Sequence, residues 1–133
     1  MTPDAFDAMV AAAVRRIAPR FRRRLHNLAI VVEPEPSPAQ LARGQVSRGS
    51  TLLGLYEGRP LPQRSVFEPI SVPDRITIFQ GPHERMAVSR AHLQQLVDET
   101  VWHEVAHYFG LNENEVRQAE RRRRGYGRAR RGA

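Results

Sequence analysis

A long helical pattern in the second half of the chain constrains its fold most. Ser89 is a favourable N-cap, and apolar residues recur at helical spacing over residues 90–109. Gly110 follows directly and can adopt the left-handed conformation that ends a helix. The chain has 133 residues, 41% of them apolar, which suffices for one hydrophobic core. We therefore expect a single domain over residues 1–120 that contains this helix.

Shorter patterns precede this helix. Thr2 and Pro3 suit the N-cap and first turn of an N-terminal helix, and Asn27 suits a left-handed position before the first strand. The other predicted elements are a helix over residues 2–18, strands over residues 28–32, 51–56 and 75–80, a mobile loop with at most a helical turn over residues 39–50, an extended segment over residues 61–73 and a short helix over residues 112–122. The prolines and glycines around residues 75–80, including Gly81 and Pro82, favour an edge strand.

The positive charge is unevenly distributed. Residues 121–133 contain seven arginines and no acidic residue, so we interpret them as a disordered tail. Residues 1–120 are formally neutral, with 14 basic and 14 acidic side chains. A second arginine cluster at residues 15–24 is interpreted as a solvated helix face. The tail, by contrast, is a candidate for non-specific contact with nucleic acid or another acidic partner.

The residue types limit the chemistry and the compartment. The chain has no cysteine, so any metal must bind to His, Asp or Glu side chains. No segment approaches the length of about 20 apolar residues that spans a membrane. The N-terminal residues lack the pattern of a signal peptide. We therefore expect a cytoplasmic protein without membrane contact.

The predicted helix carries a metal-binding pattern at residues 103–107, which read His-Glu-Val-Ala-His. Residues four apart lie on the same helix face, so His103 and His107 can bind one zinc ion. Glu104 lies beside the first ligand and can reach a water molecule at the metal. This spacing predicts a zinc-dependent hydrolase with Glu104 as the general base.

A catalytic zinc ion needs a third protein ligand and an open position. Gly110 lets the chain turn back, and Glu113 follows His107 by six residues, at the spacing of the third ligand in metzincins. Glu115 and Glu120 are the alternatives. No methionine follows the motif, so the Met-turn of true metzincins is absent.

At this point the chain resembles the minimal zincin-like bacterial metallopeptidases. The matching segments are the metal helix, Asn27, residues 53–58, Pro60 with Leu61, Arg64 with Ser65, and residues 73–82. The resemblance implies an α+β fold in which a short mixed sheet packs on the active-site helix. It also implies one zinc ion on His103, His107 and an acidic residue after the glycine. Members of this family usually have aspartate where this chain has Glu113, and often a second histidine where it has Tyr108.

These observations favour a zinc metallopeptidase. We expect an extended peptide substrate to pair along a free edge of strand 75–80. A zinc-dependent hydrolase acting on RNA is one alternative, because the tail would attract phosphates. The ribonucleases with a similar helix use three histidines, however, and no histidine follows His107. A zinc-stabilised binding module without catalysis is the other alternative. We expect His26, His83 and His92 to be exposed, and Trp102 to point into the core.

Overall fold

Five helices and a three-stranded mixed sheet form the described part of the chain. The computed structural model describes residues 1–44, 51–58 and 73–111, together with residues 114, 115, 118 and 121. The elements are α1 (Pro3–Arg15), α2 (Pro19–Arg22), β1 (Leu28–Glu33), α3 (Pro38–Arg43), β2 (Gly54–Glu57), β3 (Asp74–Phe79), α4 (Gln80–Met86) and α5 (Arg90–Tyr108). This arrangement confirms the expected α+β fold with an N-terminal helix.

Helix α1 forms where the sequence predicts it. The Thr2 hydroxyl accepts a hydrogen bond from Ala5 N at 3.1 Å, and Pro3 occupies the first turn, where no donor is needed. The side chains that α1 buries are Phe6, Met9, Val10 and Ala13. Their spacing places them on one face, which packs against α5.

Strand β3 is the central strand of the sheet, so the prediction of an edge strand at residues 75–80 is wrong. It pairs in parallel with β1 and antiparallel with β2. Ile76 and Ile78 are fully buried, as a central strand requires. Gly81 and Pro82 do not form a turn after the strand, because they lie in the first turn of α4. Proline is tolerated there, since the N–H groups of a first helical turn have no partner within the helix.

Strands β1 and β2 are the two edges of the described sheet. The sequence predicts a buried strand at residues 28–32. Every residue of β1 is partly exposed, so this strand is only partly buried. Asn27, just before β1, has a φ of 54°, which agrees with the expected left-handed position. Strand β2 is short. It pairs with β3 along one edge, and its residues contact α5.

Helix α5 agrees with the prediction at both ends. The Ser89 hydroxyl accepts a hydrogen bond from His92 N at 3.0 Å. After the helix, Gly110 has a φ of 76° and donates to His107 O at 2.9 Å, while Leu111 N donates to Ala106 O at 3.0 Å. This pair of bonds is a Schellman motif, and it turns the chain back beside the last turn of α5.

The hydrophobic core lies between α1, α5 and one face of the sheet. Trp102 is 3% exposed and packs on Phe21 with ring centroids 5.3 Å apart, as expected for a core anchor. A smaller cluster of Leu52, Leu55 and Phe79, with Leu41 from α3, covers the opposite face of the sheet. Within the described residues no helix combines the length and apolar character that crossing a membrane requires.

Three predictions concern residues that the structure describes only in part or not at all. Helix α3 occupies the start of the predicted loop at residues 39–50, capped by reciprocal bonds between Ser37 and Gln40. The predicted extended segment at residues 61–73 lies, except for residue 73, outside the described residues. The same holds for the tail beyond residue 121, so the boundary at residue 120 stays a prediction.

Candidate metal centre

Three side chains from one face of α5 converge on a single point. One ligand atom from each of His103, Glu104 and His107 lies within 4.8 Å of the other two. The two imidazole rings meet edge to face, with centroids 4.6 Å apart. The helical repeat produces this convergence, because residues four apart lie one turn above each other. The structure therefore brings together the first three residues that the motif singled out.

Glu104 is held close to both histidines. Its side chain is almost fully buried, and its Oε2 atom lies 3.6 Å from His107 Nδ1. Both histidines are only half buried, so their rings are accessible from the solvent side. A buried carboxylate beside two imidazoles can bind a water molecule at the point where the three side chains meet.

The donor set fits a zinc ion. Imidazole nitrogens are common zinc ligands, and two of them on successive turns leave the remaining coordination positions facing outwards. The group opens into a cleft of about 640 Å³, whose lining includes all three residues. The three side chains are therefore accessible from the cleft.

The predicted third ligand belongs to the segment after Gly110. The predicted ligand Glu113 lies outside the described residues, as does the alternative Glu120. Glu115, the other alternative, is helical and exposed. The Schellman motif at Gly110 ends α5 just before this segment. The identity of this ligand stays a prediction.

Helix α5 and strand β2 form the two walls of the cleft. The wall from α5 comprises Leu96, Glu99, Thr100, His103, Glu104 and His107. The opposite wall comprises residues 51–56, and Arg43 and Gly44 close one end. Gly54 packs closely against the wall from α5. A Cβ atom there would lie 2.7 Å from Thr100 Cγ2 and 3.2 Å from Glu104 Cγ, so only glycine fits without a shift.

The chain matches a known protein family over most of its length. A family model described as zincin-like metallopeptidase covers residues 25–123. The chain belongs to the zincin-like metallopeptidase family. Membership implies zinc binding, and the His103, Glu104 and His107 group is where the described residues can provide it.

A solved structure shares the fold. A conserved hypothetical protein from Thermus thermophilus superimposes with a TM-score of 0.56, over 82% of this chain and 94% of that chain, at 25% sequence identity. No curated protein sequence is significantly similar to the chain.

His83 is buried, so the expectation that it is exposed is wrong. In this zincin-like protein it contacts α5 through Thr100, one of the residues that line the cleft. The ring is fully buried; Nδ1 lies 2.7 Å from Phe79 O and Nε2 lies 3.0 Å from Thr100 Oγ1. A carbonyl oxygen only accepts, so Nδ1 carries a proton and donates to Phe79 O. The Thr100 hydroxyl also lies 2.8 Å from Leu96 O, so its one hydrogen lies between that carbonyl and His83 Nε2. Burial lowers the pKa of His83 from its ordinary value, which keeps the ring neutral. No residue spacing in the sequence relates α4 to α5, so the sequence could not predict the contact between His83 and Thr100.

Tyr108 has a structural role in this zincin-like protein. Its side chain is fully buried, and its hydroxyl donates to His26 O at 2.9 Å. Its ring packs edge-on against Tyr56 of β2, with centroids 6.2 Å apart. The Tyr56 hydroxyl in turn donates to the carboxylate of Asp74, at the start of β3. These contacts join the last turn of α5 to the sheet, close to His107.

Proposed function

We propose that the chain is a zinc-dependent peptidase with Glu104 as its general base. The convergence of His103, Glu104 and His107 at the floor of an open cleft carries this proposal. Membership of the zincin-like metallopeptidase family supports it. In this assignment the two histidines bind the metal and Gly110 turns the chain so that Glu113 can complete the site.

Each residue has a defined task. When bound, zinc would polarise the scissile carbonyl and lower the pKa of a water molecule at the site to about 7. The Glu104 carboxylate accepts the proton of that water as its oxygen bonds to the carbonyl carbon. Glu104 then delivers the proton to the amine nitrogen as the C–N bond breaks. Because Glu104 is almost fully buried, protein atoms hold its carboxylate at the position that both transfers need.

The substrate surface in this proposal is strand β2, since β3 has neighbours on both sides. Phe79 N donates to Leu53 O at 3.0 Å, so the alternation of an antiparallel pair turns the polar groups of Leu53 and Leu55 towards β3. Those of Gly54 then point away from β3, at the rim of the cleft. An extended peptide would add to this edge through backbone hydrogen bonds and place its scissile bond over Glu104.

The deciding experiment compares Glu104→Gln with the wild-type protein. The variant should retain zinc, measured by metal analysis, and lose peptidase activity on a mixed peptide library by about 10²-fold or more. Glu84→Gln is the matched control, because Glu84 is on α4 and undergoes the same chemical change away from the cleft. Full activity of Glu104→Gln would refute the assignment of the base. Zinc binding without peptide cleavage in the wild-type protein would indicate a binding module instead.

The position of the substrate has its own test. Peptides with N-methyl groups on alternate residues lose the amide donors of one side of a strand. If substrates pair along β2, one alternation should raise KM strongly and the other should leave it nearly unchanged. Equal KM values for both peptides would contradict binding by strand addition.

A further inference from the structure

A dense arginine surface lies at the corner between α1 and β1. We define it by six residues, Arg15, Arg16, Arg20, Arg22, Arg23 and Arg24, all of them exposed. Arg16 forms an ion pair with Asp98 at 2.8 Å. The other five arginines form no ion pair with any residue that the structure describes. The surface therefore carries nearly its full formal charge.

The arginine surface is one continuous patch held on the core. Arg22 Nη1 donates to Arg15 O at 2.9 Å, which joins the end of α1 to α2. The Arg20 guanidinium lies 4.9 Å above the ring of Phe21. That ring packs against Trp102 and Phe109 of the α5 end, with centroids 5.3 and 5.4 Å away. The backbone beneath the patch is therefore anchored on the core.

Within residues 1–120, the net positive charge is concentrated on this patch. The other eight basic residues of positions 1–120 face 14 acidic ones, a net charge of −6 outside the arginine surface. Within residues 1–120, a concentrated positive region on an otherwise acidic background attracts a polyanion to one place. The exposure of the arginines at residues 15–24 agrees with a solvated face, and the concentration of charge there suggests a further role for it.

We propose that the arginine surface binds the phosphate backbone of a nucleic-acid duplex without reading its sequence. Protein partners are usually anchored by buried apolar or aromatic side chains. Among the described residues the large exposed apolar side chains are Met1, Met86 and Val88, and none belongs to this patch. Phosphate contacts need only positive donors at the surface. The ring of Phe21 is occupied by its neighbours, so the patch offers no stacking platform for single-stranded bases.

The arginine surface and the metal group lie on different sides of α5. Trp102, which supports the patch, directly precedes His103, and successive helical residues point about 100° apart. Nucleic acid bound to the patch would therefore leave the cleft open. This proposal does not depend on peptidase activity, and the two can fail separately.

The test compares two triple variants of the full chain with the same net charge. Arg20→Gln/Arg23→Gln/Arg24→Gln removes half of the patch and leaves Arg22 in its hydrogen bond. The matched control changes Arg75, Arg85 and Arg90 to Gln, all of them outside the patch. Binding to labelled duplexes of mixed sequence is followed by fluorescence anisotropy from about 50 to 200 mM salt. Both variants keep the tail, so the difference between them reports the patch alone.

The expected result follows from counterion release. Each lost phosphate contact reduces the slope of log affinity against log salt by about 0.9, so the patch variant should lose about 2.7 from the slope. Over a fourfold salt range, the salt-induced loss of wild-type affinity should then be about fortyfold greater than that of the patch variant. The control variant should keep nearly the wild-type slope. A third variant with lysine at the same three patch positions should keep it too, because lysine retains the charge.

Three results would overturn the proposal. The first is an equal loss in the patch and control variants, which would mean that only net charge matters. The second is the absence of salt-dependent duplex binding by the wild-type protein. The third is equally tight binding to polyglutamate or to anionic lipid vesicles, which would identify a different polyanion. Zinc content and thermal unfolding, measured on each variant, show whether its fold is intact.

Discussion

The narrow contact at Gly54 leads to the sharpest prediction for the fold of the metal site. Replacing Gly54 with alanine places a methyl carbon 2.7 Å from Thr100 Cγ2 and 3.2 Å from Glu104 Cγ. The first distance is far below van der Waals contact, and Thr100 is a buried, β-branched residue with little freedom to move. Strand β2 and helix α5 must therefore separate at the level of Glu104.

The size of the effect can be estimated from two opposing contributions. Overpacking a core by one methyl group costs about 1–3 kcal/mol. Gly54 is not among the residues with positive φ, so alanine suits its backbone and recovers about 0.4–1 kcal/mol through the unfolded state. We expect a net loss of about 1–2 kcal/mol in the free energy of unfolding. For a chain of this size that corresponds to a Tm lower by about 3–8 °C.

Urea denaturation of the wild-type protein and four variants tests this estimate. Gly44→Ala is the matched control, since its new methyl meets the mobile end of Leu52 at 2.9 Å and should cost little. Thr100→Ser removes Cγ2 but keeps the hydroxyl that contacts His83. The double variant with Gly54→Ala should therefore be more stable than the sum of the single effects, by about 1 kcal/mol. The reasoning fails if Gly54→Ala is as stable as the control, or if Thr100→Ser gives no rescue.

Three further predictions concern the histidines and the end of α5. Because burial lowers the pKa of His83 below 6.5, the unfolded chain takes up a proton that the folded chain does not as pH falls below that value. The wild-type free energy of unfolding should therefore decrease from about pH 7 to pH 5 more steeply than that of His83→Gln; parallel urea-denaturation profiles would contradict this. Tyr108→Phe loses the hydrogen bond to His26 O and should cost about 1 kcal/mol in the same assay, with unchanged zinc content. Zinc at about 100 times its Kd should stabilise the wild-type protein by about 2.7 kcal/mol, and His103→Ala and His107→Ala should lose this gain. A variant that retains the gain would exclude its histidine as a ligand. His26→Ala serves as the exposed control.

Local signals predicted α1 and α5 well, because the ends of these helices are decided by neighbouring residues. Ser89 and Gly110 mark α5 through hydrogen bonds that close within a few residues. The His103–His107 pair is placed by the helical repeat alone, so its convergence follows from the spacing.

Contacts between distant segments could not be predicted in this way. Proline and glycine near β3 indicated an edge, but strand order depends on which segments pair across the fold, and β1 and β2 take both sides of β3. His83 is isolated in the sequence, and only the packing of α4 against α5 brings it to Thr100. The role of Gly54 likewise depends on the distance between β2 and α5.

Helix α5 explains how one small domain can hold two separate surfaces. The face with His103 and Glu104 opens into the cleft, while Trp102 on another face is buried against Phe21 beneath the arginine surface. A rigid helix fixes the angle between these faces, and Arg16 is tied to it through Asp98. Charge changes on the arginine surface should therefore leave zinc affinity unchanged, since salt screens the interaction between charges on separate exposed surfaces. A zinc affinity that followed the number of patch arginines would show instead that the two surfaces are coupled through α5.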